Sequence, residues 1–251
     1  MRATLRLFRA AAVAAVAVAL AVSPPRRLAA QTTPQQKQVK YVRDAEEYAV
    51  LSRMVYRQAL AALTAAVRER SARVSGPWAV VLDIDETVLD NSTYELDRAS
   101  YGLPFENASW NAWVERAEAG VVPGVQTFIA EVRRLGGHVA YISNRDEAVR
   151  AATQANLVRF NLWTDLDRLC LITDTSYTKR VRRAEVADGR GACSWNTPTP
   201  VLVYVGDQMG DFPAAGERDV DAGKDDAFGR RYFILPNPLY GAWTTRVTRQ
   251  R

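Results

Sequence analysis

Four short runs of apolar, mostly β-branched residues, each followed by a polar or acidic cluster, limit what this 251-residue chain can fold into. They are Trp78-Ala79-Val80-Val81-Leu82, His138-Val139-Ala140-Tyr141-Ile142, Leu169-Cys170-Leu171-Ile172 and Val201-Leu202-Val203-Tyr204-Val205. Tyr232-Phe233-Ile234-Leu235 repeats the pattern near the end. Strands that are apolar at every position are buried on both faces, which is the habit of a parallel sheet. The intervening stretches read as helices. Tyr41 to Ala72 contains no Pro or Gly and predicts one or two amphipathic helices. Pro123 opens a helix that Gly136-Gly137 closes, and others are expected from about Glu147 to Phe160 and from near Lys179. Strand alternating with helix implies right-handed βαβ units: an α/β fold with a parallel sheet and helices on both faces. The stretch 94–121, with Trp110 and Trp113, interrupts the alternation and is expected to form a small helical cap over the sheet edge.

In such sheets ligands bind at the carboxyl ends of the strands. The first run is followed by Asp83-Ile84-Asp85-Glu86-Thr87 and the second by Ser143-Asn144-Arg145. Asp174, Thr175 and then Lys179 follow the third, and Gly206-Asp207-Gln208-Met209-Gly210-Asp211 the fourth. This set suits phosphoryl transfer. A phosphate monoester carries about two negative charges near neutral pH, so a carboxylate nucleophile reaches it only where cations cancel the repulsion. Asp83 with Asp207 and Asp211 makes a hard-oxygen site of the kind Mg²⁺ takes. Lys179 adds fixed positive charge, and Ser143 with backbone N–H groups can hold phosphate oxygens. Asp85, two residues beyond the nucleophile, projects to the same side on extended backbone. There it can serve as general acid and then general base. The reaction would pass through an aspartyl phosphate.

Asp83-x-Asp85-x-Thr87, Ser143, Lys179 and Gly206-Asp207-x-x-x-Asp211 resemble the four signatures of the haloacid dehalogenase superfamily. More narrowly, Leu82 to Ser92, Ile142-Ser143-Asn144-Arg145 and Leu235-Pro236-Asn237-Pro238-Leu239-Tyr240-Gly241-Ala242-Trp243 resemble subfamily IIIB acid phosphatases. Bacterial class C enzymes and related exported 5′-nucleotidases are the nearest in pattern. The resemblance implies a Rossmann-like core and hydrolysis of small phosphomonoesters, nucleoside 5′-monophosphates among the candidates. It implies Mg²⁺ held by Asp83, the Asp85 carbonyl and Asp207, with Asp211 supporting the metal's water shell or Lys179. Asp83 becomes the nucleophile, Asp85 the acid/base, Ser143 the phosphate binder and Lys179 the charge stabiliser. Asn91, Tyr94, Trp110, Trp113, Asn144, Arg145 and Tyr240 are weaker candidates for substrate contacts, the aromatic ones as stacking surfaces for a nucleobase. The resemblance also suggests a homodimer.

Residues 1–30 read as a secretory signal peptide, with Arg2, Arg6 and Arg9 before the apolar run Ala10 to Val22. That run is short of the ~20 residues a spanning helix needs. The expected organisation is a signal peptide over 1–30, a flexible tether over 31–40 and a phosphatase domain over 41–251. The destination is the periplasm or the exterior. Class C enzymes are typically lipoproteins, but no cysteine stands near the cleavage point, so no stable membrane anchor is expected in the mature chain. The formal charge of +5 resides in the leader, and its removal leaves 28 basic against 28 acidic residues. The electrostatic case for a nucleic-acid polymer as partner therefore fails. One histidine and two cysteines exclude a Cys/His zinc cage, and His138 at a strand start reads as structural. Cys170 and Cys193 fit either a disulfide or buried thiols. Asp211, with Phe212-Pro213 after it, also fits the cap of a following helix. Asp85 argues against a dehalogenase, which has no use for a second Asp, and export argues against a mutase. A non-catalytic storage or nucleotide-binding relative is the alternative from another class, which the intact Asp83 disfavours.

Overall fold

The apolar runs lie side by side. The computed structural model describes residues 33–71 and 75–245; the signal peptide read over 1–30 lies outside them. Strands β1 (Ala79–Leu82), β4 (His138–Asp146), β5 (Arg168–Ile172), β6 (Val201–Gly206) and β7 (Tyr232–Ile234) form a parallel sheet in the order β5-β4-β1-β6-β7. From central β1 the chain adds β4 and β5 on one side, then returns to lay β6 and β7 on the other. The crevice where a doubly wound sheet binds ligands therefore opens beside β1. A separate antiparallel ribbon pairs β2 (Leu89–Asp90) with β3 (Gly120–Val121).

Alternate side chains of the central strand enter different cores. Val80 and Leu82 pack with α2 (Glu46–Ser71), α5 (Val125–Arg134) and α6 (Arg150–Arg159). Val81 packs on the other face, with Val186 of α7 (Lys179–Asp188) and with Phe212 and Ala227. Full burial of each such aliphatic or aromatic side chain is worth about 1.5–3 kcal/mol, which is why these runs take the middle of the sheet. At the start of β4, His138 stacks on Trp195 at a ring separation of 5.2 Å, at the opposite end of the sheet from the acidic loops.

From residue 33 the chain differs from the flexible tether expected over 31–40. It is helical from Pro34, forming α1 (Pro34–Asp44). Pro34 occupies the first turn, where its missing N–H costs nothing, and Thr33 and Gln36 close a capping box. Val39 and Val42 are buried, α1 packs on α3 (Ser92–Tyr101), and Arg43 donates to Thr93 at 2.9 Å. Local caps and two buried valines outweigh a polar composition. Between β2 and β3 the chain builds α3 and α4 (Asn107–Glu115), the segment expected as a cap.

Cys170 and Cys193 are joined by a disulfide, with Cα atoms 5.5 Å apart. The bridge ties β5 to the loop after α7 and closes a loop of sequence separation 23. By chain entropy a loop of that size stabilises by roughly 3 kcal/mol. Replacing both cysteines by alanine is expected to lower the unfolding free energy by about 2–4 kcal/mol in urea titration.

Candidate active site

The chemistry-bearing loop begins where β1 ends. Asp83 N–H donates to the Val205 carbonyl at 3.1 Å, extending the β1–β6 ladder by one bond. The Ile84 carbonyl then accepts the N–H groups of Val88 and Leu89, both at 2.8 Å, while Glu86 adopts a left-handed φ of 54°. Residues 84–89 thus form a tight turn, not the extended backbone assumed from sequence. The Tyr56 hydroxyl of α2 donates to the Thr87 carbonyl at 2.6 Å and fixes the turn from below. Asp83 and Asp85 still share one space: with Lys179 they line a cavity of about 890 Å³.

Asp207 follows β6, and Asp211 closes the single turn Met209–Asp211. Carboxylate oxygens of Asp83, Asp207 and Asp211 lie within 4.8 Å of one another. Lys179 Nζ, at the start of α7, donates to Asp83 at 2.5 Å and to Asp211 at 2.6 Å. The other Asp211 oxygen accepts the N–H groups of Asp207 and Gln208, at 3.1 and 2.8 Å. Asp211 therefore holds the loop and the lysine. No helix follows it for it to cap, contrary to expectation, because the chain turns away at Phe212-Pro213. Gly206 is required for this approach: a Cβ there would come within 2.4 Å of the Asp211 carboxylate.

Burial dominates the electrostatics. It pushes the Asp83 carboxyl well above the usual range; Lys179 opposes it, and Asp211, Asp207 and Asp85 add to it. Burial, with Asp211 next, raises Asp207 to about 6 against the hydrogen bond from Asn237. Burial alone would lower Lys179, but Asp83 and Asp211 overcome it and hold the ammonium above its ordinary value. One lysine stands against three buried carboxylates, and uncompensated buried charge is costly. An all-oxygen donor set with this surplus of negative charge fits a hard divalent cation.

Asp85 has different company. Arg145 Nε and Nη2 donate to its Oδ1 at 2.9 and 2.8 Å, Asn91 Nδ2 donates to the same oxygen at 3.0 Å, and Ser143 Oγ donates to Oδ2 at 3.2 Å. Trp113 Nε1 in turn donates to Asn91 Oδ1 at 2.9 Å. Three of the residues expected as substrate contacts sit behind Asp85 in the structure. Asn91, Trp113 and Arg145 are buried and do not line the cavity; Asn91 and Arg145 bond Asp85 directly, and Trp113 reaches it only through Asn91. Ser143 is also buried, its hydroxyl turned to Asp85. Tyr94, Trp110, Asn144 and Tyr240 do line the cavity, joined by Gln35, Glu95, Arg98 and Phe105.

Other participants carried no role from sequence. Glu86, fully buried, accepts the Asn91 N–H at 2.8 Å and the Tyr240 hydroxyl, and burial with Asp85 and Asp207 drives its carboxyl well upward. Arg182 is buried without a carboxylate partner among its hydrogen bonds. It donates to the Ser143 carbonyl, to the Cys170 carbonyl at 2.9 Å and to Asn144 Oδ1 at 2.7 Å. Glu86 lies inside the first acidic motif, so its position was visible in the sequence. Nothing local marks Arg182 among the basic residues of α7.

Fold and site define a parallel α/β protein that gathers an acidic cluster and a lysine at its strand ends, with a helical segment inserted after the first strand. The family model described as HAD superfamily, subfamily IIIB (acid phosphatase) matches residues 6–243, and the chain belongs to that family. The chain is similar to Acid phosphatase 1 of Solanum lycopersicum, 29% identical over 168 residues, covering 64% of this chain and 57% of that protein. It is also similar to the Stem 31 kDa glycoprotein of Glycine max, 26% identical over 167 residues, covering 64% and 58%. The matched region thus spans less than two thirds of either relative. Among solved structures, the class C acid phosphatase from Bacillus anthracis matches with a TM-score of 0.68 and 27% identity over 83% of this chain and 86% of that one. The same enzyme with tungstate bound matches with a TM-score of 0.67, 27% identity and the same coverages.

A carboxyl whose folded pKa is raised costs stability above that value, and the cost fades as pH falls toward its ordinary value. For Asp207 the window runs from about 6 down to 3.8. A divalent cation bound at this carboxyl would compete with the proton. The rise in melting temperature on adding Mg²⁺ is expected to be largest above pH 6, to shrink as pH drops to 5, and to vanish in Asp207→Asn.

Proposed function

We propose that this protein is a Mg²⁺-dependent acid phosphatase that hydrolyses small phosphomonoesters through an aspartyl phosphate on Asp83. The observation that carries the reading is the placement of Asp83 and Lys179, 2.5 Å apart, at one wall of a cavity with Asp207 and Asp211 behind them. Asp83, Asp207 and the Asp85 carbonyl would hold the metal, with Asp211 in support. When bound, Mg²⁺ supplies positive charge that offsets the repulsion between carboxylate and phosphate.

The chain's own residues account for the rest. Lys179 engages Asp83 Oδ1, so the other oxygen is the one free to attack phosphorus. As that O–P bond forms, the bond to the leaving oxygen breaks, and Asp85 delivers a proton to the departing group. Arg145 and Asn91 occupy Asp85 Oδ1, which supports Oδ2, held only by the Ser143 hydroxyl, as the oxygen that carries the proton. The same oxygen then takes a proton from the water that attacks the phosphoenzyme, releasing phosphate and restoring Asp83. Lys179 stabilises charge on the phosphoryl oxygens. Asn144 lies at the cavity wall; Ser143, fully buried with its hydroxyl on Asp85, would reach a phosphate oxygen only by turning out toward the cavity. Tungstate, bound by the Bacillus anthracis relative, is an oxyanion, which is consistent with an anion site at these strand ends.

The cavity is wide enough for more than phosphate. Tyr94, Phe105 and Trp110 offer flat surfaces, and Glu95 and Arg98 offer polar groups, which suits a nucleoside 5′-monophosphate. Export rests on the leader, and the Cys170–Cys193 bridge fits an oxidising compartment. Among the described residues no helix is long and apolar enough to cross a membrane.

Hydrolysis of p-nitrophenyl phosphate is expected to stop with EDTA and return with Mg²⁺. Asp83→Asn is expected to reduce it by ~10⁴-fold or more, the scale of loss when a covalent nucleophile is removed. Activity that survives both changes overturns the reading. Asp85→Asn is expected to release one equivalent of p-nitrophenolate in a burst and then stall, because this leaving group departs unprotonated while the activation of water is lost. A burst is read by stopped-flow absorbance.

A further inference from the structure

The segment after β7 touches two of the site's acidic loops at once. Asn237 Nδ2 donates to Asp207 Oδ2 at 2.7 Å. Its Oδ1 accepts the N–H groups of Leu239 and Tyr240, at 2.9 and 3.4 Å. With the oxygen committed to its own turn, the amide nitrogen is the end that faces Asp207. The second oxygen of Asp207 accepts Thr87 Oγ1 at 3.2 Å. Each oxygen thus takes one neutral side-chain donor, and the plane of the carboxylate is fixed. Three residues on, the Tyr240 hydroxyl donates to Glu86 in the loop that carries Asp83 and Asp85. The Tyr240 carbonyl accepts Trp243 Nε1 at 3.1 Å.

We propose that Asn237 is a positioning residue for the metal-binding carboxylate Asp207, and that Tyr240 anchors the Asn237 turn to the catalytic loop through Glu86. The proposal rests on the metal site of the phosphatase reading. A neutral donor suits this place. A lysine or arginine at the same distance would repel a divalent ion, whereas an amide aligns the carboxylate and leaves its charge intact. Groups that hydrogen-bond a ligating carboxylate set its orientation, and their loss costs about 10–100-fold in metal affinity or activity. The tail motif Leu235 to Trp243 thereby bridges the loops after β1 and β6 from outside the sheet.

The test is calorimetric titration of Mn²⁺, an oxygen-seeking ion with a paramagnetic signal as cross-check, into the metal-free full chain. Asn237→Ala is expected to weaken Mn²⁺ binding about 10–100-fold. Asn237→Ser keeps a hydroxyl able to accept the Leu239 N–H but too short to reach Asp207, so it should fold and show the same loss. Tyr240→Phe, which removes only the anchoring hydroxyl, should weaken binding less and in the same direction. In the Asn237 variants, at Mn²⁺ concentrations that refill the site, kcat should return to within a few-fold of the unmodified chain with KM for p-nitrophenyl phosphate unchanged. Unaltered Mn²⁺ affinity in both Asn237 variants, with only a lower melting temperature, would assign the residue a merely structural role and overturn the proposal. Asp207→Asn is the control: if it binds Mn²⁺ as tightly as the unmodified chain, the metal site itself is misplaced, a failure separate from that of Asn237.

Discussion

A lysine ammonium 2.5 and 2.6 Å from two buried carboxylates, with a third close by, is the contact around which the molecule is arranged. Such a concentration of like charge is tolerable only where backbone N–H groups, a cation and ordered donors converge. The open end of a parallel sheet provides that convergence. β1 and β6 are neighbours, so their terminal loops meet; α7 brings its first residue to the same edge; and Gly206 removes the Cβ that would displace Asp211. The cost of burying these acids is offset by that geometry, and the surplus of negative charge fits a hard divalent cation.

Asp83 and Asp85 are the same residue type two positions apart, yet they live in different surroundings. Asp83 is packed among other acids against one lysine, while Asp85 is clamped by an arginine, an asparagine and a serine. In the proposed reaction, the Asp83 oxygen without a donor suits attack on phosphorus, and Asp85, held firmly through Oδ1 and by one hydroxyl at Oδ2, suits proton exchange at Oδ2. Environment separates the roles of two chemically identical groups. The helices inserted between β2 and β3 contribute to this division, since Trp113 of α4 supports Asn91 behind Asp85.

Much of this is legible in the chain. Apolar runs at 78–82, 138–142, 169–172, 201–205 and 232–235 name the strands of the sheet, because burial on both faces leaves no room for polar residues. The order of the acidic motifs names the loops that meet. Less legible is anything decided by a distant partner. The start of α1 has a polar composition that resembles a linker, although Thr33, Pro34 and Gln36 already carry the cap. Asn91, Trp113 and Arg145 look like substrate contacts because aromatic and basic residues near an active site bind ligands as readily as they support neighbours. Contacts across 6, 22 and 60 positions separate the two cases. Asn237 stands inside a motif without any local sign of its role, since its partner Asp207 lies 30 positions earlier.

By itself the sequence determined the layer architecture and the identity of the acidic cluster, because burial periodicity and the residues at strand ends are local properties. Tertiary structure alone decided which donors hold each carboxylate, which side chains face the cavity, and that the two cysteines pair. Those outcomes depend on loops far apart in the chain arriving within a few ångströms of one another, and hydrogen-bond geometry at that range is set by how the elements pack.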